Sequence, residues 1–261
     1  MMQAQGFFTD TDIEVPTVTT SEMREVDRIA MQETGPNLFQ MMENAGRNLA
    51  EMALEHLGKG WQEAKVVVLA GTGGNGGGGI TAARHLANRG ARVELCLAMP
   101  DKLSEVAAWQ RRVFQFTPGK DVEFRNLGSA RVHLILDALI GYGLQSAPQS
   151  IFAELIGWAN TTRAPIISLD VPSGLDSTTG ATPGEFIRPL RTMTLALPKS
   201  GLARAEPGEL ILADIGIPAE TYRRAGVSYV SPFGNRFRVP LFIRSKADAG
   251  EAVHQPLRRK T

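Results

Sequence analysis

Cysteine is nearly absent from this chain of 261 residues, and its positive and negative charges almost cancel. The single cysteine, Cys96, excludes an intramolecular disulfide, which suits a reducing compartment. Because Cys96 lies in the apolar run 93–98, we expect a buried strand residue rather than a reactive thiol. The formal net charge of +1 gives no electrostatic reason to expect nucleic acid or an anionic membrane surface as a partner.

Long apolar runs and a targeting segment are missing as well. No window approaches the roughly 18 apolar residues that a membrane span requires. The N-terminus carries no basic leader and no apolar stretch of signal-peptide length. We therefore predict a cytoplasmic protein without a membrane partner.

Several common catalytic and metal-binding signatures do not occur. The four histidines are dispersed, and none has the spacing of a zinc site. There is no G-x-S-x-G nucleophile motif, and no Walker lysine follows the glycine-rich stretch. These absences argue against zinc chemistry, α/β-hydrolase chemistry and a P-loop.

What is present begins with two helical patterns. Residues 1–17 are predicted to be a flexible N-terminal tail. Thr19 and Glu22 then stand at capping-box spacing, which predicts a helix that stops before residue 35. A second helix is predicted over about 38–56, and its Met-rich face predicts core packing or a homodimer surface.

From residue 65 onwards, short apolar runs alternate with helical patterns. A continuous β-branched run such as 65–70 is typical of a strand covered on both faces. The alternation predicts an α/β fold, a three-layer Rossmann-like sandwich around a mainly parallel sheet, with the two helices leading. We predict one domain over 18–220 and a C-terminal extension or tail over 221–261.

A glycine-rich stretch directly follows the first of these strands. Its first six residues, Gly71–Gly76, satisfy G-x-G-x-x-G, and Glu94 lies where a dinucleotide fold places its ribose-binding acid. An NAD-dependent dehydrogenase is therefore one interpretation, although seven glycines in the nine residues 71–79 exceed its needs. Such a run allows positive φ angles and inward-facing N–H groups, so with a helix expected from Ile80 it predicts a phosphate-binding loop. A tight strand-to-helix turn is the alternative.

Two later strands each end in an aspartate followed by a glycine-containing turn. Asp137 opens the turn 137–144, and Asp170 lies in the segment 169–176. Ligands in open α/β sheets bind beyond the carboxyl ends of strands, so both aspartates are expected to face the crevice of the glycine stretch. Carboxylates and carbonyl-rich turns are suitable ligands for a hard cation. A cap or turn role is the alternative for either aspartate alone.

In combination these segments resemble the NAD(P)H-hydrate epimerase family, the YjeF N-terminal domain. The resemblance covers roughly residues 20–220, and the motifs follow the family's order. It is carried by Met41–Gly46 (MMENAG), Ala70–Leu86 (AGTGGNGGGGITAARHL), Asp137–Leu144, Leu169–Gly180 (LDVPSGLDSTTG), Thr194–Leu202 and Asp214–Pro218.

The resemblance implies an enzyme that interconverts the R and S epimers of hydrated NADH or NADPH, a step of nicotinamide cofactor repair. It implies a potassium ion (K+) held by Asn75, Asp137 and Ser173. It also implies Asp170 as a substrate-binding and catalytic residue that transfers protons while the pyrophosphate rests on the glycine stretch. The other implied substrate contacts are Gly74, Asn75, Gly76, Gly77, Gly78, Gly141, Tyr142, Gly143, Leu144, Gln145, Ser146 and Ala147.

Two positions of the glycine stretch depart from the family pattern. The family loop usually reads Asn-Asn-Gly-Gly-Asp-Gly, whereas Gly74 replaces its first Asn and Gly78 replaces its Asp. A non-catalytic nucleotide-binding or scaffold module of the same fold is therefore the alternative to an epimerase. For the enzyme we expect a homodimer, and a dehydratase acting on one epimer would be a separate chain, since too few residues follow 220 for another domain.

Overall fold

The structure, a computed structural model, describes residues 5–127 and 131–245. One sheet runs through this part of the molecule. Its strands are β1 (Gln5–Thr9), β2 (Glu14–Val15), β3 (Lys65–Ala70), β4 (Arg92–Leu97), β5 (Lys120–Asp121), β6 (Leu134–Ala138), β7 (Ile166–Leu169), β8 (Arg191–Leu195), β9 (Glu209–Ala213) and β10 (Arg238–Ser245).

The order across the sheet is β2-β1-β10-β9-β8-β7-β6-β3-β4-β5. Every pairing from β9 to β5 is parallel, and the pairings of β10 and β1 are antiparallel. The predicted mainly parallel sheet is therefore confirmed, with an antiparallel edge.

Helices cover both faces of the sheet. They are α1 (Thr20–Ile29), α2 (Leu38–Leu57), α3 (Gly74–Ala87), α4 (Glu105–Phe114), α5 (Ile151–Thr161) and α6 (Ala219–Arg224). Side chains of α2, α3 and α4 pack with Val66 and Val68 on one face of β3, while α5 packs with Val67 and Leu69 on the other. The three-layer α/β sandwich is confirmed.

The two leading helices begin where the sequence predicts. Thr19 caps α1 in a capping box, since the Glu22 N–H donates to its hydroxyl at 3.3 Å and its own N–H donates to the Glu22 carboxylate at 2.7 Å. The Met-rich face of α2 is buried within the chain, so it is core. No helix among the described residues combines the length and the apolar character needed to cross a membrane.

The prediction of a flexible tail over residues 1–17 is wrong for residues 5–15. Strand β1 pairs with β10 on one side and β2 on the other, and Phe7 is fully buried. The region 221–261 likewise supplies the end of α6 and all of β10. Both segments are short, and β1 and β10 pair across more than 200 residues of chain, so neither gives a local signal in the sequence. Residues 1–4 and 246–261 lie outside the described residues.

The glycine stretch is a helix N-terminus rather than a loop of left-handed residues. Helix α3 begins at Gly74 instead of Ile80, and none of the glycines from 71 to 79 has a positive φ. Close packing explains several of them: a methyl group on Gly71 would lie 1.9 Å from the Leu139 carbonyl oxygen, and one on Gly79 would lie 2.4 Å from the Ala138 Cβ. Glycine here brings α3 close to the sheet.

Two smaller predictions concern β4. Cys96 is fully buried and burial raises its pKa to about 12, which confirms a structural rather than a reactive thiol. Glu94 forms an ion pair with Lys65 (Oε2–Nζ 2.9 Å) in mid-sheet. The ribose-binding role considered for Glu94 is therefore wrong, and a dehydrogenase loses its support.

Candidate functional site

A cavity of about 600 Å³ lies beyond the carboxyl ends of β3, β6 and β7, where ligands bind in open α/β sheets. Helices α1 and α2 form its outer wall, and the N-terminus of α3 forms one end. Its lining is mixed, because apolar side chains such as Met41 and Met42 surround a few charged groups. Asp27 and Asp170 are the carboxylic acids of the described residues that line it, and Arg24 and Lys199 are the basic ones.

The structure brings about half of the implied substrate contacts to this cavity. Those that line it are Gly74, Asn75, Gly78, Gly141, Tyr142, Gly143 and Asp170. Gly76 and Gly77 are buried against neighbouring atoms: a methyl group on Gly76 would lie 2.0 Å from the Gly71 oxygen, and one on Gly77 would lie 2.5 Å from Met42 Sδ. Leu144, Gln145, Ser146 and Ala147 do not line the cavity.

Asp170 follows β7 directly and turns its carboxylate into the cavity. Its backbone lies in the left-handed region (φ 70°), which Asp tolerates better than most residues. The Tyr142 N–H donates to Asp170 Oδ2 at 3.0 Å. Its other oxygen, Oδ1, contacts the ammonium group of Lys199.

Lys199 is a site residue that the sequence does not predict, although it lies in the segment 194–202 that carries the resemblance. Its side chain is 1% exposed, and Nζ also donates to the Leu195 carbonyl oxygen at 2.9 Å. A buried ammonium group requires a counter-charge, and Asp170 provides it. Its position just beyond the end of β8 was the available signal.

Asp27 is the second unpredicted residue. It lies one helical turn after Met23 on the inner face of α1, and its carboxylate contacts the Tyr142 hydroxyl. Burial raises the pKa of Asp27, although the Tyr142 hydrogen bond and the charge of Lys199 oppose that effect. Burial and the adjacent Asp27 also raise the pKa of Tyr142, so the phenol stays protonated.

Asp137 lies beneath the cavity and is fully buried. Its carboxylate accepts hydrogen bonds from Ser168 Oγ (2.8 Å), Leu139 N (3.2 Å), Ser173 N (3.0 Å) and Ser173 Oγ (2.5 Å). None of the ion pairs formed within residues 5–127 and 131–245 includes it. Burial raises its pKa, and these hydrogen bonds act in the opposite direction.

Asn75 is in the first turn of α3, and the environment of its side-chain amide is unusual. Both amide atoms, Oδ1 and Nδ2, are buried without a hydrogen-bond partner in the described part of the chain. A methyl group on Gly141 would lie 3.2 Å from both Asn75 Cγ and Asp170 Oδ2. Gly141, in the turn after β6, therefore packs against both side chains. The neighbouring Ile140 N–H donates to Ser173 Oγ at 2.8 Å. Asn75, Asp137 and Ser173 therefore gather around this one turn.

Comparison with known proteins identifies the family to which this arrangement belongs. Residues 38–201 match the family model described as YjeF-related protein N-terminus. The chain belongs to this family. A Dehalogenimonas lykanthroporepellens protein named NAD(P)H-hydrate epimerase is 53% identical over 217 residues, which are 83% of this chain and 89% of that protein. A second protein of that name, from Rhodopirellula baltica, is 34% identical and is covered over 90% of its length.

Longer relatives and a solved structure extend the comparison. The Bifunctional NAD(P)H-hydrate repair enzyme Nnr of Salinibacter ruber is 39% identical over 80% of this chain, which spans 42% of that enzyme. The crystal structure of the yeast protein ynu0 aligns with 87% of this chain and 100% of its own at a TM-score of 0.75 and 22% identity, a likeness of fold. The family assigned by resemblance is thus confirmed.

Proposed function

We propose that this YjeF-family protein is an NAD(P)H-hydrate epimerase, which interconverts the R and S epimers of hydrated NADH and NADPH. The observation that carries the proposal is the buried pair of Asp170 and Lys199 in a nucleotide-sized cavity, next to the N-terminus of α3. The names of the D. lykanthroporepellens and R. baltica relatives support the same activity.

The N-terminus of α3 is suited to the substrate's pyrophosphate. The first N–H groups of a helix have no intrahelical acceptor, and the helix dipole favours negative charge there. Gly74 keeps this end open, because the nearest atom to a methyl group placed on it would be Met42 Cε at 3.9 Å. Replacement of the family's usual Asn by Gly74 therefore leaves room for a ligand.

Proton transfer is assigned to Asp170. Epimerisation requires the ring hydroxyl to leave and return, or the ring to open and close, and either route moves protons. Asp170 faces the cavity, and the Tyr142 N–H and Lys199 fix both of its oxygens. Since Gly78 offers no carboxylate, the acid–base chemistry depends on the carboxyl groups that line the cavity.

A potassium ion fits the residues beneath the cavity, and we assign it to Asn75, Asp137 and Ser173. Asn75 Oδ1 is buried without a partner, and Asp137 is a buried carboxylate with no ion pair among the described residues. Both features favour a hard cation with oxygen ligands. When bound, the ion would supply the counter-charge of Asp137 and hold the turn after β6 in place.

The decisive experiment separates the two epimers of hydrated NADH by chromatography and follows their equilibration. We expect the protein to accelerate it well beyond the spontaneous rate and the Asp170→Asn variant to lose most of that acceleration. Equilibration at the spontaneous rate would favour the non-catalytic nucleotide-binding or scaffold module. An unchanged rate in a folded Asp170→Asn variant would remove Asp170 from the mechanism.

The remaining partners are part of the same proposal. The substrate is hydrated NADH or NADPH, and a dehydratase on a separate chain would consume one epimer; the name of the bifunctional S. ruber relative supports this link between repair activities. We further propose a homodimer that works in the cytoplasm. Light scattering of the purified protein tests the dimer.

A further inference from the structure

We infer that Asp27, held in place by Tyr142, is a second acid–base residue of the cavity and acts together with Asp170. The inference rests on the proposed epimerase activity and assigns it a pair of proton-transferring groups. Asp27 comes from α1, whereas Asp170 follows β7. The two acids thus reach the cavity from different walls.

Tyr142 bridges the two acids directly. Its backbone N–H donates to Asp170 Oδ2, and its hydroxyl contacts the Asp27 carboxylate. Opposite ends of one residue thus contact the two carboxyl groups, and all three residues line the cavity. Lys199 Nζ lies 5.8 Å from the centre of the Tyr142 ring, and within residues 5–127 and 131–245 its ion pair is with Asp170.

Epimerisation by loss and return of the hydroxyl needs one group on each side of the ring. On one side an acid gives a proton to the hydroxyl; the C–O bond breaks, water leaves, and the ring nitrogen's lone pair forms a C=N bond. On the other side a base takes a proton from a second water as its oxygen bonds to the same carbon, and the nitrogen regains its lone pair. Atoms and charge balance without a co-reactant, and exchange with solvent resets the two acids.

The environments of the two carboxyl groups suit these opposite roles. Asp170 has the Lys199 ammonium group as its counter-charge. Asp27 has no ion pair among the described residues, and burial raises its pKa, which favours the protonated acid. Tyr142 contacts no ring carbon in this scheme; it is a positioning residue that orients Asp27.

Other charged or titratable groups act on Asp27 as well. Lys199 lowers its pKa and Asp170 raises it. Arg24 and Tyr222 also interact electrostatically with this cluster. Arg24 lowers the pKa of Tyr142, and Asp27 raises the pKa of Tyr222. The groups that face Asp27 are Arg24 on its own helix, Tyr142 after β6, Asp170 after β7, Lys199 after β8 and Tyr222 on α6.

The test measures epimerisation of hydrated NADH from the pure R and pure S epimers across pH. We expect Asp27→Asn to lower kcat by about 10²-fold or more, the usual scale of general acid–base catalysis, with little change in KM. Tyr142→Phe should lower kcat by roughly tenfold, the scale of one lost hydrogen bond. Tyr229→Phe removes the hydroxyl of a tyrosine that does not line the cavity and is the matched control.

The pH profile separates a catalytic role from a structural one. The high-pH limb of kcat/KM should report loss of the proton from Asp27. It should be the same for both epimers, because the ratio of their two kcat/KM values is fixed by the equilibrium constant between them. Tyr142→Phe removes a hydrogen bond that lowers the pKa of Asp27, so the limb should move to higher pH. If Asp27→Asn does not fold, this shift decides the question.

The outcomes distinguish the inference from the proposed function. If the unaltered protein does not accelerate epimerisation, the proposed function fails. If it does, and folded Asp27→Asn and Tyr142→Phe variants keep rates within twofold and an unchanged high-pH limb, the function stands and the role of Asp27 is overturned. Solvent labelled with ¹⁸O should enter the hydroxyl at each inversion, and inversion without label would exclude the water-loss route.

Discussion

The ammonium group of Lys199 lies against the carboxylate of Asp170, and their side chains are only 1% and 5% exposed. Such a pair depends on both partners, because either charge left alone in the interior keeps its desolvation cost without compensation. The polar centre of the cavity is therefore also a point on which stability depends.

We expect Lys199→Met to lower the free energy of unfolding by about 3–5 kcal/mol, because Asp170 would lose its counter-charge. Adding Asp170→Asn should recover most of that loss, since neither member of the pair would then carry a buried charge and Asn also tolerates the left-handed backbone. Urea denaturation of the single and double variants measures the coupling. If the losses of unfolding free energy in the single variants add up in the double variant, the two charges do not stabilise each other.

The glycine stretch gives a second prediction, which compares two positions in the same segment. Gly71→Ala should destabilise the fold severely, because the new methyl group would lie 1.9 Å from the backbone oxygen of Leu139. Gly74→Ala meets no atom closer than Met42 Cε at 3.9 Å and replaces glycine in a helix, so it should be neutral or stabilising by up to about 1 kcal/mol. Thermal unfolding of both variants provides the measurement. Equal effects would mean that backbone freedom, and not space, requires glycine.

The glycine stretch also shows which features of the fold can be predicted from the sequence. Strand–glycine–helix order predicted the sheet, the crevice and the approximate position of the helix. It suggested positive φ angles for the glycines. Instead, Gly71, Gly77 and Gly79 are required by close contacts with Leu139, Met42 and Ala138, which are distant in sequence. A run of glycines does not distinguish backbone freedom from close approach.

The cavity was predictable to a similar degree. Asp170 and Tyr142 follow strand ends, so motif reasoning found them. Asp27 comes from a helix that no βα motif includes. The role of Lys199 follows from its ion pair with Asp170, which is 29 residues away in the sequence. Tertiary contacts alone bring these side chains to Asp170.

The proposed potassium site leads to a prediction about pH. A folded-state pKa of Asp137 that is raised by burial favours the folded protein at low pH, and this contribution is lost as pH rises through that pKa. A bound cation offsets the loss by pairing with the carboxylate. The gain in Tm caused by KCl over choline chloride at equal ionic strength should therefore increase as pH rises. NaCl is the control for ion size, and a gain independent of pH would separate the cation from Asp137.

The N-terminal strand gives the last prediction. Phe7 is fully buried in β1, whereas Phe242, on the paired strand β10, is 45% exposed. Phe7→Ala should cost about 3–5 kcal/mol of unfolding free energy, as expected for a large aromatic side chain removed from a core. Phe242→Ala makes the same chemical change on the surface and should cost far less. Similar small effects of both substitutions in urea denaturation would mean that residues 5–9 contribute no stability, as a flexible tail predicts. A large effect of Phe7→Ala alone would make β1 an integral part of the sheet.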